Sequence, residues 1–162
     1  MTMIRFATPV DAKRLCQIYN HYVLTAVATF EEEPVSEEEM QRRIRDVQKD
    51  FFWLVYEEDD QVVGYAYASK WKARAAYRHS VELSVYVDPQ QHGLGIGKQL
   101  YAALLDRLRE RDVHSVIGGV AANNPASIAL HLSFGFVQVA HLREVGHKFG
   151  QWIDVTYFQL LL

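Results

Sequence analysis

The chain lacks several things, and each absence excludes something. It has one cysteine, Cys16, so no intrachain disulfide can form, and cytoplasmic residence is the expectation. No apolar run approaches the roughly 20 residues a membrane-spanning helix needs. The first residues, Met1-Thr2-Met3-Ile4-Arg5-Phe6, run directly toward a helix start, so no signal peptide is expected. There is no basic excess. With 17 Lys+Arg against 20 Asp+Glu the formal net charge is −3, which is not the footprint of a nucleic-acid binder. No His, Cys, Asp and Glu set has metal-ligand spacing. His141 and His147 share a hairpin without a partnering motif, and no metal is expected. Linkers, repeats and low-complexity tracts are also missing. At 162 residues, 49% hydrophobic and 23% charged, the chain reads as one globular domain with room for a sizeable core.

What is there alternates between strands and helices. Residues 4–7 form a short strand. Thr8-Pro9-Val10-Asp11 is a helix start with Thr as N-cap and Pro in the first turn, and the helix runs to about Thr25. Cys16 lies on its apolar face as a packed thiol. After a loop, 26–35, Ser36-Glu37-Glu38-Glu39 is a capping box that opens a charged helix to about Lys49. Segments 51–57 and 61–68 are strands joined by an acidic turn. Residues 81–87 form a central strand, 98–109 a helix, 114–120 a strand, and Asn124-Pro125 starts a helix to about Phe134. Segments 136–145 and 152–161 close the chain as a hairpin around 146–150. The expected class is α/β (α+β), a mixed sheet flanked by helices.

The most informative stretch is His92-Gly93-Leu94-Gly95-Ile96-Gly97-Lys98. It follows an apolar strand and the breaker pair Asp88-Pro89, and it leads into a helix. Glycines admit positive φ and close approach of a ligand. The first helical turn adds free N–H groups and the positive end of the dipole. A phosphorylated ligand is expected. A P-loop fits poorly: His92 stands where its first glycine belongs, and Gln99 where its Ser/Thr belongs. A dinucleotide fingerprint fits poorly too. Read from Gly93 its last glycine falls on Lys98, and read from Gly95 on Leu100. A ligand-free connector is the other reading, but alternate glycines would then cost backbone entropy with no packing gain.

The stretch resembles the acyl-CoA pyrophosphate loop of the GNAT N-acetyltransferases, Arg/Gln-Gly-x-Gly-x-Gly after an apolar strand. His92 takes the Arg/Gln position, and Gly97 directly precedes the expected helix. A shifted register would use Gln90 with Gly93 and Gly95. The segment from Asn124 to Phe136 is similar to a second family landmark, in which the Asn bonds the pantetheine arm and a Tyr protonates the departing thiolate. His131 stands at that Tyr position, and Ser133 is implied near the coenzyme phosphates. Asn20-His21-Tyr22, Thr29-Phe30, the segment from Trp71 to Tyr77, the strand containing Glu82, and Gly146-x-Lys148-x-Gly150-x-Trp152-x-Asp154-Val155 look like the phosphinothricin/methionine sulfoximine N-acetyltransferase branch. This resemblance spans nearly the whole chain. It implies a sheet of about seven strands with four helices, acetyl-CoA as co-substrate, and a homodimer. The implied reaction is direct attack of an amino-acid α-amine on the thioester, with methionine sulfoximine, methionine sulfone or phosphinothricin as acceptor. His147 and Phe149 depart from the turn of herbicide-inactivating members.

The chemistry needs a proton acceptor, because an α-amine is largely protonated near neutral pH. Glu82, on the strand face opposite Val81, Leu83, Val85 and Val87, is the candidate, and the family places its acid here. An exposed strand carboxylate is the alternative, at a cost if unpartnered and central. His131 is open between a proton donor, since imidazole titrates near neutrality, and a packing residue. Backbone groups of Val85, Tyr86 and Val87 would serve the oxyanion and the pantetheine, and those of Gly93, Leu94, Gly95, Ile96, Gly97 and Lys98 the pyrophosphate. Arg74 suits a bidentate contact to an α-carboxylate, with Lys72, Ala75, Ala76 and Tyr77 beside it. Phe30 and Tyr22 would wall the side-chain methylenes. Other acceptors are a polyamine, an aminoglycoside or a protein N-terminus, and a non-catalytic acyl-CoA-binding module is the reading from another class. The apolar C-terminus, 158–162, would cover either another subunit or this chain's own sheet.

Overall fold

The fold comes from a computed structural model that describes residues 1–121 and 124–162. In chain order the elements are β1 (Thr2–Phe6), α1 (Ala12–Thr25), α2 (Glu37–Gln48), β2 (Trp53–Glu58), β3 (Gln61–Lys70) and β4 (Ser80–Val87). Then follow α3 (Ile96–Arg109), β5 (Ser115–Ala121), α4 (Pro125–Ser133), β6 (Val137–Lys148) and β7 (Gln151–Leu161). The seven strands make one sheet in the order β1-β2-β3-β4-β5-β7-β6, with β4 at its centre. All neighbouring pairs are antiparallel except β4 with β5.

Strand alternation divides the core into two layers. On one face Trp53, Val55 and Tyr65 pack against Leu15, Ile18, Tyr19, Met40 and Ile44 of α1 and α2. On the other, Leu54, Ala66, Ala68, Val81, Leu83, Val116 and Phe158 pack against Leu100, Tyr101, Leu104 and Leu108 of α3. The charged helix α2 buries only Met40 and Ile44, and Ser36 caps it by accepting from the Glu39 N–H at 3.1 Å. At the start of α1, Thr8 opens a single 3₁₀ turn rather than the helix itself, which begins at Ala12. Asp11 holds that turn, accepting from the Thr8 N–H at 2.8 Å and from Arg5 at 2.9 Å.

Two boundaries differ from the sequence expectation. Helix α3 begins at Ile96, not after Gly97: Gly95 is its left-handed N-cap, and Ile96 is already buried against the sheet. The final hairpin turns on Phe149 and Gly150 alone, both at positive φ, as a two-residue hairpin turn requires. Pairing persists through Gly146↔Ile153, His147↔Trp152 and Lys148↔Gln151, and the irregularity moves to a bulge between Leu142 and Gly146. There Glu144 takes positive φ, and its N–H donates to Asp154 at 2.8 Å. The C-terminus covers its own sheet, with Phe158 in the core and Leu160 and Leu162 packed against it.

One irregularity shapes everything downstream. Strand β4 pairs with β3 along its whole length, Lys70↔Val81 to Gly64↔Val87. With β5 it pairs only at Ser80↔Ser115, Val81↔Val116 and Glu82↔Ile117. Strand β5 stays with β7 as far as Ala121↔Val155. The sheet therefore splits beyond Glu82.

Gly118, one residue past the split, has a packing reason. A Cβ there would collide with the Nε2 and Cδ2 atoms of His131. At Gly119 an added Cβ would meet only the Tyr157 ring edge, at 3.2 Å. Gly118→Ala is expected to lose about 1–3 kcal/mol to overpacking, and Gly119→Ala less. Urea titration checks this: the Gly118→Ala midpoint should fall further at an unchanged slope.

Candidate active site

The split opens a cleft of about 580 Å³. Its walls are Leu83, Ser84, Val85, Tyr86 and Val87 of β4, and Gly119, Val120 and Ala121 of β5. At one end stand Gln91, His92, Gly93, Gly95, Ile96, Gly97 and Lys98, and along the side α4 contributes Asn124, Ala126, Ser127, Ala129, Leu130, His131 and Ser133. So thirteen of the residues singled out from sequence line one cleft: Tyr22, Val85, Tyr86, Val87, His92, Gly93, Gly95, Ile96, Gly97, Lys98, Asn124, His131 and Ser133. Leu94 does not, its side chain being 62% exposed.

The cleft suits a long, phosphorylated, amide-bearing ligand. Beyond Glu82, one edge of β4 has no strand partner, so its backbone N–H and C=O groups are available. Gly93 and Gly95 take φ of +80° and +76°, and added Cβ atoms would meet nothing within 4 Å. Those glycines serve backbone shape and open access rather than packing. Behind them the first turn of α3 presents the free N–H groups of a helix N-terminus. The loop is braced from α1 on two sides. Arg14 pairs with Asp88 and donates to the Val62 carbonyl at 2.8 Å. The Tyr22 hydroxyl donates to the Val87 carbonyl and lies 2.7 Å from Nε2 of His92. Since Tyr22 spends its one proton on a carbonyl, Nε2 of His92 is the donor in that pair.

His131 is buried, 2% exposed, where Tyr101, Phe134, Phe136 and Phe158 meet. Its Nδ1 lies 2.7 Å from the Ser127 carbonyl, which accepts only, so Nδ1 carries a proton. Burial lowers its pKa from the usual value, which favours the neutral ring. Nε2 then accepts from the Tyr101 hydroxyl at 3.2 Å. Asn124 caps α4, its Oδ1 accepting from the Ser127 N–H at 3.2 Å, which leaves its amide donors for the cleft. The Ser133 hydroxyl donates to the Leu130 carbonyl at 2.7 Å, so as placed its proton is spent.

Glu82 occupies the last paired position before the split, half-buried, on the face away from Val81 and Leu83. Among the described residues its carboxylate has no ion pair, and burial raises its pKa. On the same face, Ser69 of β3 stands across from Glu82 and Tyr67 across from Ser84. Tyr157 of β7 lays its ring over Gly119 and meets Trp71 edge-on at 5.6 Å.

Apart from Tyr22, which stands at the glycine-loop end, the expected acceptor-binding residues are not on the cleft wall. Lys72, Arg74, Ala75, Ala76 and Tyr77 lie on the exposed connection between β3 and β4, with a short helical turn at Ala75–Tyr77. The connection leads into β4 at the end opposite the glycine loop. The Arg74 guanidinium has no ion pair among the described residues, and the Lys72 ammonium sits 5.2 Å from the Trp71 ring. Phe30 packs onto the backbone of Gly146. Sequence reasoning passed over Tyr101, Ser127 and the Gly118-Gly119 pair. The glycine pair inside an apolar strand was the readable signal of close approach. His141, on the final hairpin, lies 2.8 Å from Asp154.

The Acetyltransferase (GNAT) domain family matches residues 4–157. A ribosomal-protein-alanine N-acetyltransferase from Brucella melitensis has a crystal structure that superposes with a TM-score of 0.96 at 43% identity, covering 99% of both chains. The L-methionine sulfoximine/L-methionine sulfone acetyltransferase of Salmonella typhimurium is 38% identical over 98% of this chain and 94% of its own. A GNAT superfamily phosphinothricin acetyltransferase from Sinorhizobium meliloti, solved in complex with AcCoA, has a TM-score of 0.96 at 36% identity, covering 99% of this chain and 88% of its own. Split sheet, glycine loop and full-length similarity agree that this chain belongs to the GNAT acetyltransferase family.

Proposed function

We propose that the chain is an acetyl-CoA-dependent N-acetyltransferase for the α-amine of small amino-acid analogues: L-methionine sulfoximine, L-methionine sulfone and phosphinothricin. The observation that carries this reading is the half-buried, unpaired Glu82 at the point where β4 leaves β5. It stands between the coenzyme-sized cleft and the connection that carries Arg74. A carboxylate without a cationic partner is a cost to the fold and an asset to a reaction that must remove an amine proton.

The residues divide the work. Leu83–Val87 backbone groups hold the pantetheine amides and offer an N–H to the developing oxyanion. The glycine loop and the first turn of α3 hold the pyrophosphate, with His92 and Lys98 alongside. Arg74, free of competing acids among the described residues, takes the acceptor carboxylate, and Phe30 walls its methylenes, while Tyr22, bonded to Val87 and His92, braces the glycine loop instead. Glu82 accepts the amine proton, directly or through water, and the neutral amine attacks the thioester carbonyl. His131 handles the proton for the departing sulfur. As placed, its Nε2 accepts from Tyr101, so that proton comes through the Tyr101 hydroxyl or after the imidazole has taken one up.

A homodimer is supported by β6, an edge strand with Val137, Val139, Leu142 and Val145 exposed. A cytoplasmic location is supported by the free Cys16 and by the requirement for acetyl-CoA. The similarity to a ribosomal-protein-alanine acetyltransferase favours a second reading, acetylation of a protein N-terminus, which lacks the adjacent carboxylate for Arg74.

Four outcomes are expected. Glu82→Gln should cut kcat by roughly 10²–10⁴-fold while acetyl-CoA binding is kept; a binding module would have no turnover to lose. In the native protein kcat/KM for the amine should rise with pH through a step above the ordinary carboxylate range, and that step should vanish in Glu82→Gln. The sign for stability is opposite. A carboxyl whose folded pKa is raised loses stability as pH rises from the unfolded value through the folded one. Glu82→Gln should therefore match or exceed the native melting temperature at mildly alkaline pH. Arg74→Ala should raise the amino-acid KM about tenfold or more with acetyl-CoA KM unchanged. Equal effects on both constants would argue against its assigned role.

A further inference from the structure

Lys148 is 1% exposed, near the end of β6. Among the described residues it has no carboxylate partner within ion-pair distance. Its ammonium donates instead to two backbone carbonyls, Ala26 at 2.7 Å and Thr29 at 2.8 Å, more than a hundred residues earlier. The Phe149 ring lies 5.0 Å away, as a third, weaker partner. Burying an ammonium on neutral acceptors is an expensive way to fix a loop if stability alone is at stake.

The loop so fixed is the stretch between α1 and α2. Two residues before Lys148 on the same strand, Gly146 has no side chain, and the Phe30 ring rests on it. A Cβ there would stand 2.5 Å from two ring atoms. Lys148 and Gly146 thus act on one face: the ammonium grips the backbone on the near side of Phe30, and the glycine receives its ring. The other contacts of the loop fix its shoulders. Thr29 meets the Tyr19 hydroxyl at 2.7 Å, Glu31 pairs with Arg43, and Asn20 exchanges hydrogen bonds with Val35 at 2.8 and 2.9 Å. Ala28, between the two gripped carbonyls, lines the cleft.

We infer that Lys148, seconded by Gly146, is a positioning residue for acceptor selection: the C-terminal hairpin sets where Phe30 and Ala28 stand, and so which amine side chain fits beside Glu82. The inference rests on the proposed function for the role of Phe30, not for the existence of the clamp. It places acceptor specificity partly on a strand that contributes nothing to the coenzyme cleft wall.

The experiment uses the full chain and two variants. Lys148→Met keeps the volume and removes the donors. Gly146→Ala keeps the clamp and displaces only the Phe30 ring. In Lys148→Met, amide hydrogen exchange across residues 26–35 should quicken, and acceptor KM should rise tenfold or more with acetyl-CoA KM changed less than twofold. In Gly146→Ala the exchange should stay slow, and the ratio of kcat/KM between methionine sulfoximine and a shorter amino acid should shift at least fivefold. Exchange is read without any substrate, and kinetics use whichever amine the native protein acetylates, so failure of the substrate assignment does not carry over. Unchanged acceptor constants in both variants, or equal changes in acceptor and coenzyme constants, would overturn the inference. If Lys148→Met does not fold, Gly146→Ala decides alone.

Discussion

The short parallel ladder between β4 and β5 is the constraint on which the rest depends. Three residue pairs join two halves of one sheet, and past Glu82↔Ile117 each half follows its other neighbour. An unpaired strand edge inside a sheet would ordinarily be a defect, because its backbone groups must find partners. In the proposed function it is the surface that meets the coenzyme. The glycine loop, α3 and α4 are arranged around that opening, and Glu82 marks its apex. Parallel pairing suits this design: β4 and β5 are linked by a helical crossover, so the glycine loop and the N-terminus of α3 come at the end of β4 where the split is widest.

Much of this was legible in the sequence. The order of strands and helices, the acidic turn between β2 and β3, and the glycine loop at the head of α3 follow from periodicity, caps and breakers, which are local. What eluded sequence reading was set by tertiary contact. The start of α3 moved because Ile96 is drawn into the core, so Gly95 and not Gly97 became the cap. The last turn tightened because cross-strand pairing carried β6 through Lys148. The fate of the C-terminus was open from sequence and was decided by β7 packing Phe158 inward. The residues around the cleft were found through motif resemblance. Tyr101 and the Gly118-His131 contact have no local signature, since they depend on α3, α4 and β5 meeting.

Three buried or half-buried polar groups carry a desolvation cost for which stability alone gives no return. His131 is made a neutral acceptor by a carbonyl on one side and a phenol on the other. Among the described residues Glu82 has no cationic partner, and burial raises its pKa. Lys148 is spent on two carbonyls far away in sequence. An apolar residue at any of these positions would avoid a desolvation cost. His131 lines the cleft, Glu82 sits next to its first β4 wall residue, and Lys148 holds a loop whose Ala28 borders it.

The most direct measurement is thiol release from acetyl-CoA with methionine sulfoximine, methionine sulfone, phosphinothricin, spermidine, an aminoglycoside and an alanine-starting peptide compared side by side, with the N-acetyl product identified by mass. Release with the amino-acid analogues, one acetylated α-amine per thiol, is the predicted result. Tight coenzyme binding without release from any of them, or release with the polyamine, aminoglycoside or peptide alone, would contradict the assignment.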